Sequence, residues 1–427
     1  MNNTRFKTPA RWGCFASVIL LFALVAPLGA VRAQSFDVSG FVKSSYYYDT
    51  RQIVAARDVD FLLYPTPNNP DADDPSDRDN LSAFPFFSRL GLGVNDFDQQ
   101  VLGADVSGYF ESDFFGPTGD ETNTLRIRRA FAKMVWDNRE VQFGVEWSPL
   151  FTLAAFPHTV ATEAGAPFNP FGRQPMMKLT LKPNDNLRLI GIAAWQMDAF
   201  VDAPLKDNTG RTVGLGGIDA QQQSGLPGLH GHLQYVNGGT TLGLGGYLKT
   251  LRPFPTGDTF TSGAGTAYGS YSGNAVTVRG KVVYGGVRDH VGLGGYILDS
   301  PGTPDADYKQ INTLTTWLEV EKPGTIAPGL FAGYLTNLGV SDELNNAPAD
   351  VLFATRGVTP VGQSVASVWE IAPRIALNHG PLRLAFELQA TTVQYTGRLD
   401  ENFAPDPTDD EESVTNLRGD FTVFLFF

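Results

Sequence analysis

Leu417-Arg418-Gly419-Asp420-Phe421-Thr422-Val423-Phe424-Leu425-Phe426-Phe427 is the stretch on which the fold turns. In an extended strand Leu417, Phe421, Val423, Leu425 and Phe427 fall on one side. Arg418, Asp420, Thr422, Phe424 and Phe426 fall on the other. No turn residue follows. A soluble domain rarely finishes in so bare an apolar strand, because the unpaired edge is sticky. In a closed transmembrane barrel no edge remains and one strand face meets lipid, so the pattern predicts a barrel stave.

Working back from that strand, alternating segments recur through the chain. They are 36–49, 84–94, 99–114, 123–136, 141–147, 174–181, 187–198, 228–236, 240–250, 274–284, 291–298, 311–321, 329–338, 366–377, 382–395 and 414–427, sixteen in all. Short turns such as Asn237-Gly238-Gly239, a hairpin signal, alternate with long loops at 50–83, 148–173, 251–272, 339–365 and 396–413. That rhythm predicts an all-β fold, a 16-stranded antiparallel transmembrane β-barrel, with both termini on the short-turn side. Alternation alone would also suit a soluble sandwich, but a sandwich has no reason to alternate loop length. Pro373 interrupts its strand and predicts a local bulge.

The first 33 residues carry Arg5, Lys7 and Arg11, an apolar stretch, and Val31-Arg32-Ala33. This reads as a signal peptide cut near Ala33, leaving one domain over 34–427. The rival is an uncleaved helix over 12–31, which Pro27 and Gly29 would spoil. The only cysteine, Cys14, lies in the leader, so the mature chain has no disulfide and no thiol nucleophile. The leader holds four basic residues and no acidic one, so its removal turns a net charge of −13 into −17. So acidic a chain has no basic excess for nucleic acid. No mature segment is apolar for long enough to be a spanning helix.

Two features resemble a known family. A last strand ending in Phe is similar to the assembly signal of Gram-negative outer-membrane porins. The block Leu125-Arg126-Ile127-Arg128-Arg129-Ala130-Phe131, Phe143-Gly144-Val145-Glu146-Trp147-Ser148-Pro149-Leu150-Phe151 and Gly172-Arg173-Gln174-Pro175 resembles the dicarboxylate-porin (DcaP-like) group and other trimeric porins. This clear resemblance covers roughly a seventh of the chain. It implies a 16-stranded trimeric channel whose loop after strand five folds inward and narrows the lumen.

The residues agree in part. The 148–173 loop carries Phe151, Leu153, Phe156, Phe168 and Phe171, too many apolar groups to leave in water, so it packs on the barrel wall or on a neighbouring subunit. With Leu125 and Ile127 facing lipid, Arg126 and Arg128 face the lumen. A bulge at Arg129 turns Arg129 and Lys133 inward as well. Lys43 and Arg89 extend this basic wall, since such side chains cost roughly 2–4 kcal/mol on the lipid face. Asp105, Glu111, Asp113, Glu146, the loop's Glu163 and Arg173 complete the expected constriction. Either these charges oppose one another across the pore and select solutes, or they merely pair to satisfy the wall.

The arginine excess predicts weak anion preference. The loop acids Asp71, Asp73, Asp74, Asp77, Asp409, Asp410, Glu411 and Glu412 are solvated, or bind divalent cations. No enzyme site emerges. His230 and His232 share a strand face without a third ligand, His158, His290 and His379 stand apart, and Ser148 near His158 lacks a nucleophile elbow. The expectation is an outer-membrane porin passing small hydrophilic solutes, with neither metal nor cofactor. Its expected partners are outer-membrane lipid, two further copies of itself, and its solutes. The alternatives are a substrate-specific channel for small organic acids and a non-transporting barrel serving as adhesin or hydrolase.

Overall fold

The computed structural model describes residues 33–56, 60–69, 73–116, 124–197, 203–286, 292–299, 307–360 and 362–427. The expected leader, apart from Ala33, lies outside these residues, as do Asp71 and His290. Sixteen antiparallel strands form a closed barrel. They are β1 (Ala33–Asp49), β2 (Asn80–Phe84 continued by Arg89–Phe97), β3 (Asp105–Asp113), β4 (Arg126–Trp136), β5 (Arg139–Trp147), β6 (Arg173–Leu181), β7 (Leu187–Ala194) and β8 (Gly228–Asn237), then β9 (Thr240–Leu251), β10 (Phe260–Ser272), β11 (Thr277–Gly285), β12 (Thr313–Glu321), β13 (Ile326–Asn337), β14 (Ser364–His379), β15 (Leu382–Thr396) and β16 (Glu412–Phe426). β16 closes the cylinder on β1, with Phe421 opposite Tyr46 and Phe426 opposite Phe41.

Each wall has a greasy outside and a polar inside, and β16 shows it most plainly. Leu417, Phe421 and Leu425 are 44–46% exposed, whereas Arg418, Asp420 and Thr422 are fully enclosed. Leu229, Leu242, Leu244, Leu248, Leu330, Ile371 and Ile375 continue the outward belt around the barrel. In a soluble protein such a belt would be an aggregation hazard, and in a bilayer it is the contact surface. Among the described residues no helix is long and apolar enough to cross a membrane.

The strand count conceals two exchanged assignments. The segment 251–272, expected as a loop, supplies β10. Its outward positions include Gly263, Gly265, Ala267 and Gly269, so its alternation carries little hydropathy signal. Conversely, Gly294–Leu298, expected as a stave, is buried throughout and pairs with Tyr308–Ile311 and Leu352–Arg356 in a separate sheet. An unbroken apolar run of that length is also what a strand covered on both faces looks like. β3 begins only at Asp105, so residues 99–104 belong to the connection. Pro373 causes no bulge. The β14–β15 register runs unchanged from Ile371 opposite Ala390 to Arg374 opposite Glu387, and the shift falls between Val365 and Ser367. Pro373 lies on the outward face, where it is exposed.

β2 is broken between Phe84 and Arg89, because Pro85 can donate no ladder hydrogen bond. Ser88 repairs the gap, its Oγ accepting from the Lys43 backbone N–H at 3.0 Å. The detour places Phe87 inside the barrel, buried to within 7%.

The segment 148–172 leaves β5 and rejoins at β6. Its hydrogen bonds reach inward side chains well round the cylinder. Lys281 of β11 donates to Leu150 O at 2.9 Å and Asn169 Oδ1 at 2.7 Å. Glu319 of β12 accepts the His158 N–H at 3.1 Å, and Glu387 of β15 accepts those of Val160 and Ala161, each at 3.1 Å. Phe168 packs so closely on Gly333 of β13 that a Cβ there would lie 2.4 Å from its ring. Phe151, Phe168 and Phe171 are all buried, each burial removing apolar surface worth roughly 2 kcal/mol.

Candidate functional site

The inward faces of β1 to β5 carry the basic wall. The register of β3 against β4 shifts between Glu111 and Ser112, opposing Glu111 to Arg129 and Ser112 to Ile127 and leaving Arg128 as the extra residue. A bulge of one residue therefore sends three arginines of Arg126-Ile127-Arg128-Arg129 to the lumen while Ile127 stays outside, 53% exposed.

The acids sit beside these arginines on the same wall rather than across the lumen. Arg126 grips Asp113 through two bonds of 2.7 and 3.2 Å. Arg128, fully enclosed, bridges Glu111 at 2.8 Å and Asp113 at 2.5 Å. Arg129 holds both oxygens of Glu146 at 2.7 Å. Such bidentate, charge-assisted pairs are the strong ones. Arg89 lies 3.6 Å from Glu111. Arg173 lies over Trp147, 5.2 Å from the ring centre. Lys43 has no carboxylate in ion-pair range among the described residues, and its ammonium donates to Thr162 Oγ1 at 2.6 Å and Val160 O at 3.3 Å. Within this cluster Lys43, Arg89, Arg126, Arg128, Arg129 and Arg173 face Glu111, Asp113 and Glu146, while the buried Asp49 of β1 is held by Arg418 of β16.

Three expected residues fall outside this cluster. Asp105 is exposed at the start of β3 and accepts from Gln100 at 2.9 Å. Lys133 is half-buried between Ser107 and Gln142, further along the wall. Glu163 belongs to another group, where Gln389 donates to it at 2.6 Å. Burial pushes the Glu163 carboxyl well above the usual range, against the opposing pull of Arg418.

A cavity of about 250 Å³ opens against the basic wall, under residues 156–162. Lys43, Arg89, Arg128, Arg383 and His158 line it, and no carboxylate does. Phe87 lines it as well. Arg128, Arg89 and Lys43 stand 4.8, 5.1 and 5.4 Å from that one ring, geometry in which the π-face partly offsets mutual repulsion. Phe87 could not be foreseen, because Pro85 and Ser88 disguise the break in β2. Arg383 reaches this cavity because the barrel closes β15 round through β16 to β1.

The opposite wall is more balanced. Arg374 pairs with Glu319 and with Glu321 at 2.7 Å, and Arg279 meets Glu319 at 3.0 Å. His230 and His232 both point inward and are buried. Among the described residues no group of three or more His, Cys, Asp or Glu could hold a metal ion. Ser148 Oγ has no hydrogen-bond partner among them, so no serine–histidine dyad forms with His158. Several outer acids serve the loops: Asp74 accepts from Arg51 at 3.2 Å, and Asp409 accepts the Gly397 and Arg398 N–H groups at 2.6 and 3.1 Å.

No protein-family model and no curated protein sequence matches the chain. Solved structures do. The outer membrane channel DcaP of Acinetobacter baumannii superposes with a TM-score of 0.64 at 16% identity, over 92% of this chain and 97% of that one. The anion-selective porin from Comamonas acidovorans gives 0.53 at 12% identity, over 92% and 99%. Salmonella typhi OmpF in complex with daunomycin gives 0.50 at 9% identity, over 92% and 97%. The chain has the 16-stranded barrel fold of the Gram-negative outer-membrane porins.

Proposed function

We propose that the protein is an outer-membrane porin, a passive channel for small hydrophilic solutes with a preference for anions. One observation carries this reading: the cavity against β1 to β5 is lined by one lysine, three arginines and no carboxylate. A solute passing there exchanges hydration for fixed positive charge, which favours anions without a closed binding pocket. In this reading the 148–172 segment narrows the path, with Glu163 and Arg173 at its edges. The barrel works as a homotrimer, as the porin resemblance implies. A second reading, a substrate-specific channel for small organic acids, is favoured by the Phe87 ring among the cations, which offers an apolar face beside paired positive charges.

Swelling of proteoliposomes in succinate, lysine and arabinose separates the readings. Passive anion preference gives entry graded by size, with succinate ahead of lysine. The specific channel gives saturable succinate entry. Lysine entering faster than succinate would overturn both.

A further inference from the structure

A second cavity, of about 220 Å³, lies on the other side of Trp147, against β5 to β8 and β10. Trp147 lines both cavities and stacks on Phe151 with ring centres 4.1 Å apart, so the two share an aromatic partition. Their linings differ sharply. Lys178 is the one lysine or arginine at the second cavity, and its one carboxylate, Glu146, is already saturated by Arg129.

The remaining polar groups are neutral and unevenly used. Gln234 Nε2 donates to Tyr268 OH at 2.8 Å, and that hydroxyl lies 3.4 Å from His232 Nδ1. With Tyr268 donating to Nδ1, the imidazole proton sits on Nε2. His232 Nε2 and Ser148 Oγ are buried without a partner among the described residues, and both residues line this cavity. Buried polar groups are nearly always paired, so two left unpaired around one cavity mark a place for a ligand rich in hydroxyls. Met176, Ile190 and Ile192 supply an apolar side. Hydroxyls on one edge and C–H groups on the other are the two faces of a small polyol.

We infer that the lumen holds a second solute site, beyond Trp147 from the basic cavity, that takes small uncharged polyhydroxylated solutes of pentose size. This rests on the reading of the barrel as an open channel. Neutral solutes then cross beside β6 to β8, while organic anions follow the basic wall.

Proteoliposomes carrying Ile192→Trp or Gln234→Trp, two independent ways of filling the second cavity, test this with arabinose and succinate as probes. Band shift on heating in detergent selects folded protein. The site predicts that either variant cuts arabinose entry by about threefold or more and leaves succinate entry near that of the unmodified protein. Arabinose entry unaffected by both variants, or both solutes cut in proportion, overturns the second site alone. Failure of the unmodified protein to admit succinate removes the channel reading, and this site with it.

Discussion

Two walls of one lumen handle buried charge in different ways. From β1 to β5 the carboxylates neutralise neighbouring arginines and still leave cations in surplus, turned toward the cavity. From β12 to β15 the carboxylates serve the polypeptide: Glu319 and Glu387 accept backbone N–H groups of His158, Val160 and Ala161. The first wall faces a cavity and holds the chain above it through Lys43, whereas the second holds the chain through carboxylates. Charge counted over the whole barrel, or from the net −13 of the sequence, would miss this division.

The sharpest way to break the contrast is Arg128→Met. Arg128 is fully enclosed and bridges Glu111 and Asp113, so its loss takes one cation from each of two buried carboxylates, leaving Asp113 to Arg126 and Glu111 to Arg89, at a cost of roughly 3–5 kcal/mol. Denaturation of the folded barrel in detergent measures it. A loss under about 1 kcal/mol would mean that these acids are solvated, as in an exposed pair.

Glu387→Ala acts on the other wall. Two backbone N–H groups lose their acceptor, costing roughly 2–4 kcal/mol, and the 148–172 segment loosens. Single-channel conductance should rise. Unchanged conductance would show that this segment does not narrow the path.

A smaller effect comes from Asp60, which ties β1 to the 148–172 segment. Its carboxylate accepts from Tyr47 and, at 3.1 Å, from Thr162. Burial pushes its carboxyl up to about 6 from 3.8, with Lys43 and Arg418 opposing the rise and Asp420 adding to it. The folded protein therefore binds the proton more tightly than the unfolded chain. This contribution is full below about pH 4 and is lost as pH rises through about 6, a difference of roughly 2–3 kcal/mol. Thermal midpoints from pH 4 to 8 should fall less steeply for Asp60→Asn than for the unmodified chain. Parallel profiles would contradict the assignment.

How much of this was legible depends on where large apolar residues stand. β14 to β16 set Trp369, Ile371, Phe386, Leu388 and Phe421 against Glu370, Arg374, Glu387 and Arg418, and the period of two is plain. β10 hides because glycine and alanine hold its lipid face. Gly294–Leu298 misleads because a run buried on both sides resembles a stave. The basic wall could be read from Arg126-Ile127-Arg128-Arg129, since an arginine pair admits only a bulge or an arginine in lipid. The cavity could not. Phe87 enters through a proline break, and Arg383 and His158 meet Arg89 only because β15 closes round through β16 and β1. Pairing of Glu111 and Asp113 with their neighbours, rather than across the pore, follows from strand adjacency.

The reversal potential of the purified protein in a planar bilayer under a potassium chloride gradient tests the surplus of cations most directly. The account predicts a potential of the sign set by chloride, shrinking toward zero in Arg89→Gln/Arg383→Gln. A potential set by potassium in the unmodified protein would contradict it.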